Sequence, residues 1–232
     1  MTLAYHHTPG TGPTLVFLPG YASDMTGAKA LAVEAWAQAR GRACLRFDYS
    51  GCGASTGRFE EGTLGRWRDD ALSLVDTIVE GAVTLVGSSM GGWIMLLLAQ
   101  ARPERVASLV GIAAAPDFTD WGFSSAEKIA ILNEGRLEKP SPYGDHPVIT
   151  TRAFWTSGEA NRLMHGPIAI DVPVRLIHGQ ADADVPWEHS LQLARLIRSP
   201  DVQTILVKDG DHRLSRDADI ALLCKTIEGL PV

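Results

Sequence analysis

At 232 residues the chain is long for one small domain and short for two, so one α/β unit spanning residues 1–232 is expected, with 45% apolar residues supplying ample core. Its 21 basic residues are scattered rather than gathered in a stripe, and the net charge is −6, which argues against a nucleic-acid partner. No apolar run is long enough to span a bilayer, so stable membrane insertion is not expected either.

The first residues carry neither a basic head nor an apolar stretch of signal-peptide length, and Cys44, Cys52 and Cys224 are widely spaced with no Cys-x-x-Cys. A reducing compartment and a cytoplasmic protein are the expectation. Residues 1–13 read as one short edge strand and a turn. Residues 14–18 form a buried-strand run that stops at Pro19-Gly20-Tyr21. Asp24 or Thr26 is a candidate cap for an Ala-rich helix reaching about residue 40, with Gly41 just past its end. Residues 43–49 are the next strand, and residues 63–80 have helical spacing.

Residues 83–88 are an apolar, β-branched run that leads directly into Gly87-Ser88-Ser89-Met90-Gly91, followed by a helical apolar pattern. Strand, Gly-x-Ser-x-Gly turn and helix together make a nucleophile elbow. The turn strains the central serine and lifts its hydroxyl above the sheet, and the glycines let strand and helix approach. Residues 106–114 are a further strand. This alternation of strand and helix implies a mostly parallel, doubly wound sheet, and hence the α/β class.

Residues 116–171 break the rhythm. Ser124-Ser125-Ala126-Glu127 has the form of a capping box for a short helix ending at Gly135. A Pro- and Gly-rich loop covers residues 139–147, and a second helical segment covers 151–164. Roughly 55 residues between two strands exceed a plain connection, so a lid over the site is expected. Residues 174–177 and 202–207 are strands flanking a helix over 188–197, and a last amphipathic helix covers 216–228.

Ser89, Asp182 and His212 each follow a predicted strand, where open parallel sheets place their sites. Their order suits acyl transfer by an elbow serine. Ser89 attacks the acyl carbon, His212 takes and returns the proton, and Asp182 orients the imidazole. Asp184, Asp209 and Asp211 are the competing acids, and Asp182 is preferred because it sits directly in the turn after its strand. The oxyanion donors expected are the backbone N–H groups of Met90 and Tyr21. No metal and no organic cofactor is called for. His6 and His7 read as solvent-exposed, Gly51-Cys52-Gly53 as a turn, and Trp93, Trp121, Trp155 and Trp187 as core or lid packing, with the lining of an acyl pocket as the alternative.

Several longer strings extend this reading: Phe47-Asp48-Tyr49-Ser50-Gly51, Thr63-Leu64-Gly65-Arg66-Trp67-Arg68, Gly87-Ser88-Ser89-Met90-Gly91-Gly92-Trp93, Val185-Pro186-Trp187 and Asp211-His212-Arg213. Through them the chain resembles the α/β-hydrolase family, and within it the mitochondrial palmitoyl-protein thioesterase branch that also hydrolyses acyl glucuronides, that of mycophenolic acid among them. The resemblance implies cleavage of acyl thioesters or carboxylic esters, from a small molecule or an acylated protein, with Ser89, Asp182 and His212 as its triad. It is poorest over residues 117–163. The alternatives on the same fold are a serine peptidase or amidase, and a non-catalytic small-ligand receptor. Ser89 excludes a dehalogenase, which needs a carboxylate at the elbow.

Overall fold

In the computed structural model, which describes residues 2–141 and 147–230, the apolar runs pair as a sheet. The chain opens with β1 (Tyr5–Thr8) and β2 (Thr11–Leu18), then passes through α1 (Ala28–Ala39), β3 (Arg42–Phe47), α2 (Leu64–Ile78), β4 (Val83–Ser88), α3 (Met90–Ala101) and β5 (Val106–Ile112). The insertion contributes α4 (Phe118–Trp121), α5 (Ser125–Glu134), β6 (Arg136–Lys139), β7 (Val148–Thr151) and α6 (Arg152–Glu159). It is followed by β8 (Val174–Gly179), α7 (Glu188–Leu196), β9 (Val202–Val207) and α8 (Asp217–Glu228).

Among the described residues, seven strands form one sheet in the order β1-β3-β2-β4-β5-β8-β9. All pairs are parallel except β1 against β3, where Tyr5 faces Phe47. The strands alternate their side chains between two cores, as a pleat requires. Val16, Leu18 and Leu85 join Trp67 of α2, Trp93 of α3 and Leu193 of α7 on one face. Leu15, Phe17 and Val86 join Val33 of α1 and Leu223 of α8 on the other. Every residue of β4 is buried, as befits a central parallel strand covered on both faces.

Two local expectations are corrected. The first concerns the start of α1, where Gly27 is the N-cap and no side chain caps the helix. Asp24 Oδ1 instead accepts from the Thr26 N–H at 2.7 Å and the Thr26 hydroxyl at 2.6 Å. A local Asx turn has thus taken the carboxylate before the helix begins. The second concerns the insertion, where β6 and β7 pair antiparallel on either side of the expected loop, and the helix expected over 151–164 is α6, which ends at Glu159. Residues 142–146 of that expected loop lie outside the described residues. The capping box at Ser124 and Glu127 forms, and Gly135 closes α5 in the left-handed conformation.

The start of the insertion is tied to residues 163 and 164 through Asp117. This buried residue has φ +57°, and its carboxylate accepts from the N–H groups of Leu163 at 2.9 Å and Met164 at 2.7 Å. Burial pushes the Asp117 carboxyl up, and the two backbone N–H groups only partly offset it. The rest of the insertion is tied to the α2 and α3 side of the sheet. Ser157 Oγ accepts from Gly65 N–H at 3.0 Å, and Trp93 Nε1–H donates to the Asn161 carbonyl at 3.1 Å.

Candidate active site

Between β4 and α3 the chain turns within one residue. Ser89 has φ +54° and ψ −120°, a conformation that costs a non-glycine residue of order 1–3 kcal/mol and persists only where the surroundings enforce it. The enforcement is visible. Ser89 N–H donates to the Ile112 carbonyl at 2.9 Å, and its own carbonyl accepts from Gly92 N–H at 2.9 Å and Ala115 N–H at 3.0 Å. A Cβ on Gly91 would stand 2.1 Å from the Leu18 carbonyl oxygen, and one on Gly87 would stand 2.5 Å from that of Gly91. Both positions therefore have to be glycine for α3 to close on β2 and β4.

The hydroxyl so presented meets an imidazole. His212 Nε2 lies 3.1 Å from Ser89 Oγ, across a separation of 123 residues, and His212 Nδ1 lies 2.8 Å from Asp182 Oδ2. The Asp182 side chain is fully buried, whereas His212 keeps partial exposure. Asp182 Oδ1 accepts from the N–H groups of Asp184 at 2.8 Å and Val185 at 2.9 Å. Burial alone would raise the Asp182 carboxyl, but hydrogen bonds from His178 and His212, the His212 charge and the Val185 N–H outweigh it and hold it well below the usual carboxylate range.

Of the competing acids, Asp209 pairs with Arg216 at 2.8 Å and Asp211 accepts from Leu214 N–H at 2.9 Å. Neither makes the bond to His212 that Asp182 makes. Among the described residues, Asp182, Asp184 and His212 are also the group whose donor atoms lie close enough, within 4.8 Å, to hold a metal ion. Two of those donors, Asp182 Oδ2 and His212 Nδ1, already bond each other.

The loop after β2 lies directly against Ser89. A Cβ on Gly20 would come within 3.4 Å of Ser89 Cβ, which brings the following residue, Tyr21, to the rim of the site. Met90 opens α3, and a first helical residue has no partner for its N–H within the helix. The Tyr21 side chain reaches the other way. Its hydroxyl donates to the Ile149 carbonyl of β7 at 2.6 Å, and its ring packs on Phe59, Phe118 and Phe154. Burial pushes that hydroxyl far above its ordinary value, keeping it a donor.

Two cavities open on Ser89. The larger, about 390 Å³, includes Gly20, Tyr21, Lys29, Ser88, His212 and Arg213 in its wall. Lys29 donates to the Arg213 carbonyl, and burial followed by the Arg213 charge pushes its ammonium down to about 8. The smaller, about 170 Å³, is bounded by Ala115, Phe118, Trp121 and Val185 as well as Tyr21 and His212. Trp121 therefore lines a pocket, whereas Trp93 is core, and Trp155 Nε1–H donates to the Thr119 carbonyl at 3.0 Å inside the insertion.

Cys52 is buried in the core and its thiol is pushed up to about 12 by burial, then by Asp48, so it is no reactive thiolate. His6 is half-exposed as expected and also bonds Glu34 through Nδ1. Sequence reasoning missed two supports of the site. Asp48, buried after β3, accepts from Met25 N–H at 2.7 Å and Ala54 N–H at 2.8 Å and so braces the loop that carries Tyr21. His178, four residues before Asp182, bonds it at 3.1 Å. Its one signal was a histidine ending a strand beside the candidate acid.

Comparisons with known proteins agree with this architecture. A family model described as alpha/beta hydrolase fold matches residues 13–131. The mitochondrial palmitoyl-protein thioesterase ABHD10 of Homo sapiens is 45% identical over 232 residues, which cover 98% of this chain and 76% of the relative. Its Mus musculus counterpart is 47% identical, with 98% and 78% covered. The solved structure of alpha/beta hydrolase domain-containing protein 10 from mouse superposes with a TM-score of 0.91 at 46% identity, covering 97% of this chain and 92% of that one.

These relatives overturn the expectation of a cytoplasmic protein, since they are named mitochondrial. The expectation rested on the first residues and on cysteine usage. Unpaired cysteines report a reducing environment, which is not peculiar to one compartment. Among the described residues, no helix is long and apolar enough to cross a membrane.

Proposed function

The chain belongs to the α/β-hydrolase family and is an esterase- or thioesterase-like hydrolase, and from that premise we propose that it works as a serine enzyme through an acyl-enzyme on Ser89. The observation that carries the proposal is the unbroken chain of hydrogen bonds from Ser89 Oγ through His212 to Asp182, at 3.1 and 2.8 Å, on a strained elbow.

In the first step Ser89 Oγ bonds the acyl carbon as its proton passes to His212 Nε2. The N–H groups of Met90 and Tyr21 receive the developing oxyanion, and each such donor supplies roughly 3 kcal/mol in comparable enzymes. Collapse breaks the bond to the leaving alcohol or thiol, which takes the proton from His212. Water, deprotonated by the same imidazole, then releases the carboxylic acid and restores Ser89. Residues 116–171 act as a lid, with the smaller, largely apolar cavity against α4 as the start of the acyl path. Palmitoyl thioesters, of a protein or a small thiol, and acyl glucuronides are the substrate types this reading favours.

A fluorophosphonate is expected to add one adduct mass at Ser89. Ser89→Ala is expected to lose both the label and the turnover of a short p-nitrophenyl ester, and labelling retained in that variant refutes the assignment. Thioesters, oxygen esters and amides of one acyl group separate a thioesterase from an esterase and from a peptidase. A receptor would bind the acyl group without turnover.

A further inference from the structure

Asp182 has two imidazole neighbours, of which one meets the nucleophile. His178, at the end of β8, is wholly buried, and its Nε2 stands 3.1 Å from the same oxygen, Asp182 Oδ2, that His212 Nδ1 reaches at 2.8 Å. The same Nε2 lies 3.0 Å from the Val185 carbonyl. Two oxygens that can only accept converge on this nitrogen, so the nitrogen carries the proton. On the other side of the ring, Nδ1 lies 2.6 Å from Ser190 Oγ of α7, whose hydroxyl can donate to a bare ring nitrogen. The neutral Nε2–H form satisfies every one of these contacts.

On the reading of Ser89, His212 and Asp182 as the triad, we propose that His178 is a positioning residue of the hydrolysis, a neutral Nε2–H imidazole, oriented by Ser190, that shares Asp182 Oδ2 with His212. Its bond and the N–H groups on Oδ1 hold the carboxylate from both sides. It also draws off part of the negative charge that Oδ2 presents to His212. Without it, more of that charge faces the imidazolium that forms during reaction, and His212 keeps its proton to higher pH. Among the described residues, the charged and titratable groups around the relay include Asp184 on the Asp182 loop, Glu188 and His189 on α7, Asp117 acting on His189, and Asp211 and Arg213 either side of His212, with Lys29 of α1 against the Arg213 carbonyl.

The test is the pH profile of kcat/KM for a short ester, measured on the intact enzyme and on His178→Leu, His178→Gln and Ser190→Ala. In His178→Leu, kcat is expected to fall on the order of tenfold with little change in KM, by analogy with the lower end of what removing a hydrogen-bond partner of a metal-ligating side chain costs. Its acid limb is expected to move up on the order of half a pH unit. Glutamine, which can return an N–H towards the place of Nε2, is expected to restore part of both effects. A merely structural residue would lower activity without moving the limb, so an unmoved limb in folded His178→Leu overturns the proposal.

Should the leucine variant not fold, Ser190→Ala keeps the histidine and removes only the partner of Nδ1. Its limb is expected to move the same way by less, and a profile identical to the parent's overturns the proposal. Nitrogen NMR of the parent enzyme is expected to show His178 as the neutral Nε2–H tautomer, and a cationic or Nδ1–H ring overturns it independently. Failure of the triad reading looks different: Ser89→Ala and Asp182→Asn would both retain turnover.

Discussion

At Ser89 the strain resides in the backbone and not in the hydroxyl, so the geometry survives loss of the oxygen. The neighbouring glycines are less forgiving. Gly91→Ala drives a methyl group to 2.1 Å from the Leu18 carbonyl oxygen and must push α3 off β2. It is expected to destabilise the fold by about 2 kcal/mol or more, read as a lower urea midpoint, with activity falling in the folded fraction as well. The acids separate cleanly. Asp182→Asn leaves His212 without its anionic partner and is expected to lower kcat by about 10⁴-fold, whereas Asp184→Asn, which retains the backbone N–H used by Asp182, is expected to stay within about threefold. Equal losses in the two variants would overturn the placement of the acid.

How far single residues could be read from sequence follows the same physics. The elbow is legible because a nucleophile turn forces glycines at fixed offsets, and Asp182 and His212 are legible because strand ends are where a parallel sheet gathers its polar groups. His178 and Asp48 are not. Asp48 acts through a bond to the separate loop that carries Met25, and His178 through a fold of the chain over the next twelve residues that brings Asp182, Val185 and Ser190 round one buried ring, and no periodicity announces either.

Among the elements, the insertion depends on its neck. Asp117 holds residues 163 and 164 through backbone bonds, so Asp117→Ala leaves those N–H groups in a buried place without their acceptor. It is expected to cost about 2 kcal/mol. If the insertion is a lid, limited proteolysis should then cut it first while the sheet stays intact, and protection equal to the parent's would refute the neck. Thr63 has a smaller task. Its hydroxyl accepts from Arg66 N–H at 3.1 Å at the start of α2, and Thr63→Ala is expected to lower stability by about 1 kcal/mol.

Outside the insertion the chain was readable to within two residues, save for β2, which begins at Thr11 where a turn is expected, because its strands and helices carry strong apolar periods. The hairpin of β6 and β7 was not. Arg-Leu-Glu-Lys and Val-Ile-Thr-Thr are each four residues long; the second is wholly β-branched and carries a strand signal, but the first carries none, and its pairing with the second makes it a strand. Asp24 misled for a related reason: a residue fit to cap a helix can equally close a turn just before it.

Over the whole molecule, acid should be the weak direction. Glu34 is held below its ordinary value by Arg46, Thr8 and His6 against the opposing effect of burial, and Asp182 and Asp219 are lowered as well. Carboxyls whose folded pKa lies under the unfolded one stabilise the fold above the unfolded value, and that contribution is lost as pH falls through the folded value. The urea midpoint is therefore expected to drop below about pH 4, the unfolded carboxylate range. Asp117, shifted upward, acts in the opposite sense and only softens the fall. A midpoint that stays level down to pH 2 would refute this balance.

The order of the strands has a consequence for the birth of the enzyme. β9 is last in sequence and outermost in the sheet, and His212 comes only after it, 123 residues beyond Ser89. A growing or refolding chain can set β2, β4 and β5 side by side, bend its elbow and bury Trp67 and Trp93 while remaining inert. β9 pairs with its near neighbour in sequence, β8, but the contact of His212 with Ser89 closes a loop of 123 residues, longer than any that β2, β4 and β5 close among themselves, and so forms late. Refolding from urea should thus recover tryptophan fluorescence ahead of ester turnover. The assay of hydrolysis would then serve as a clock for the docking of the final strand.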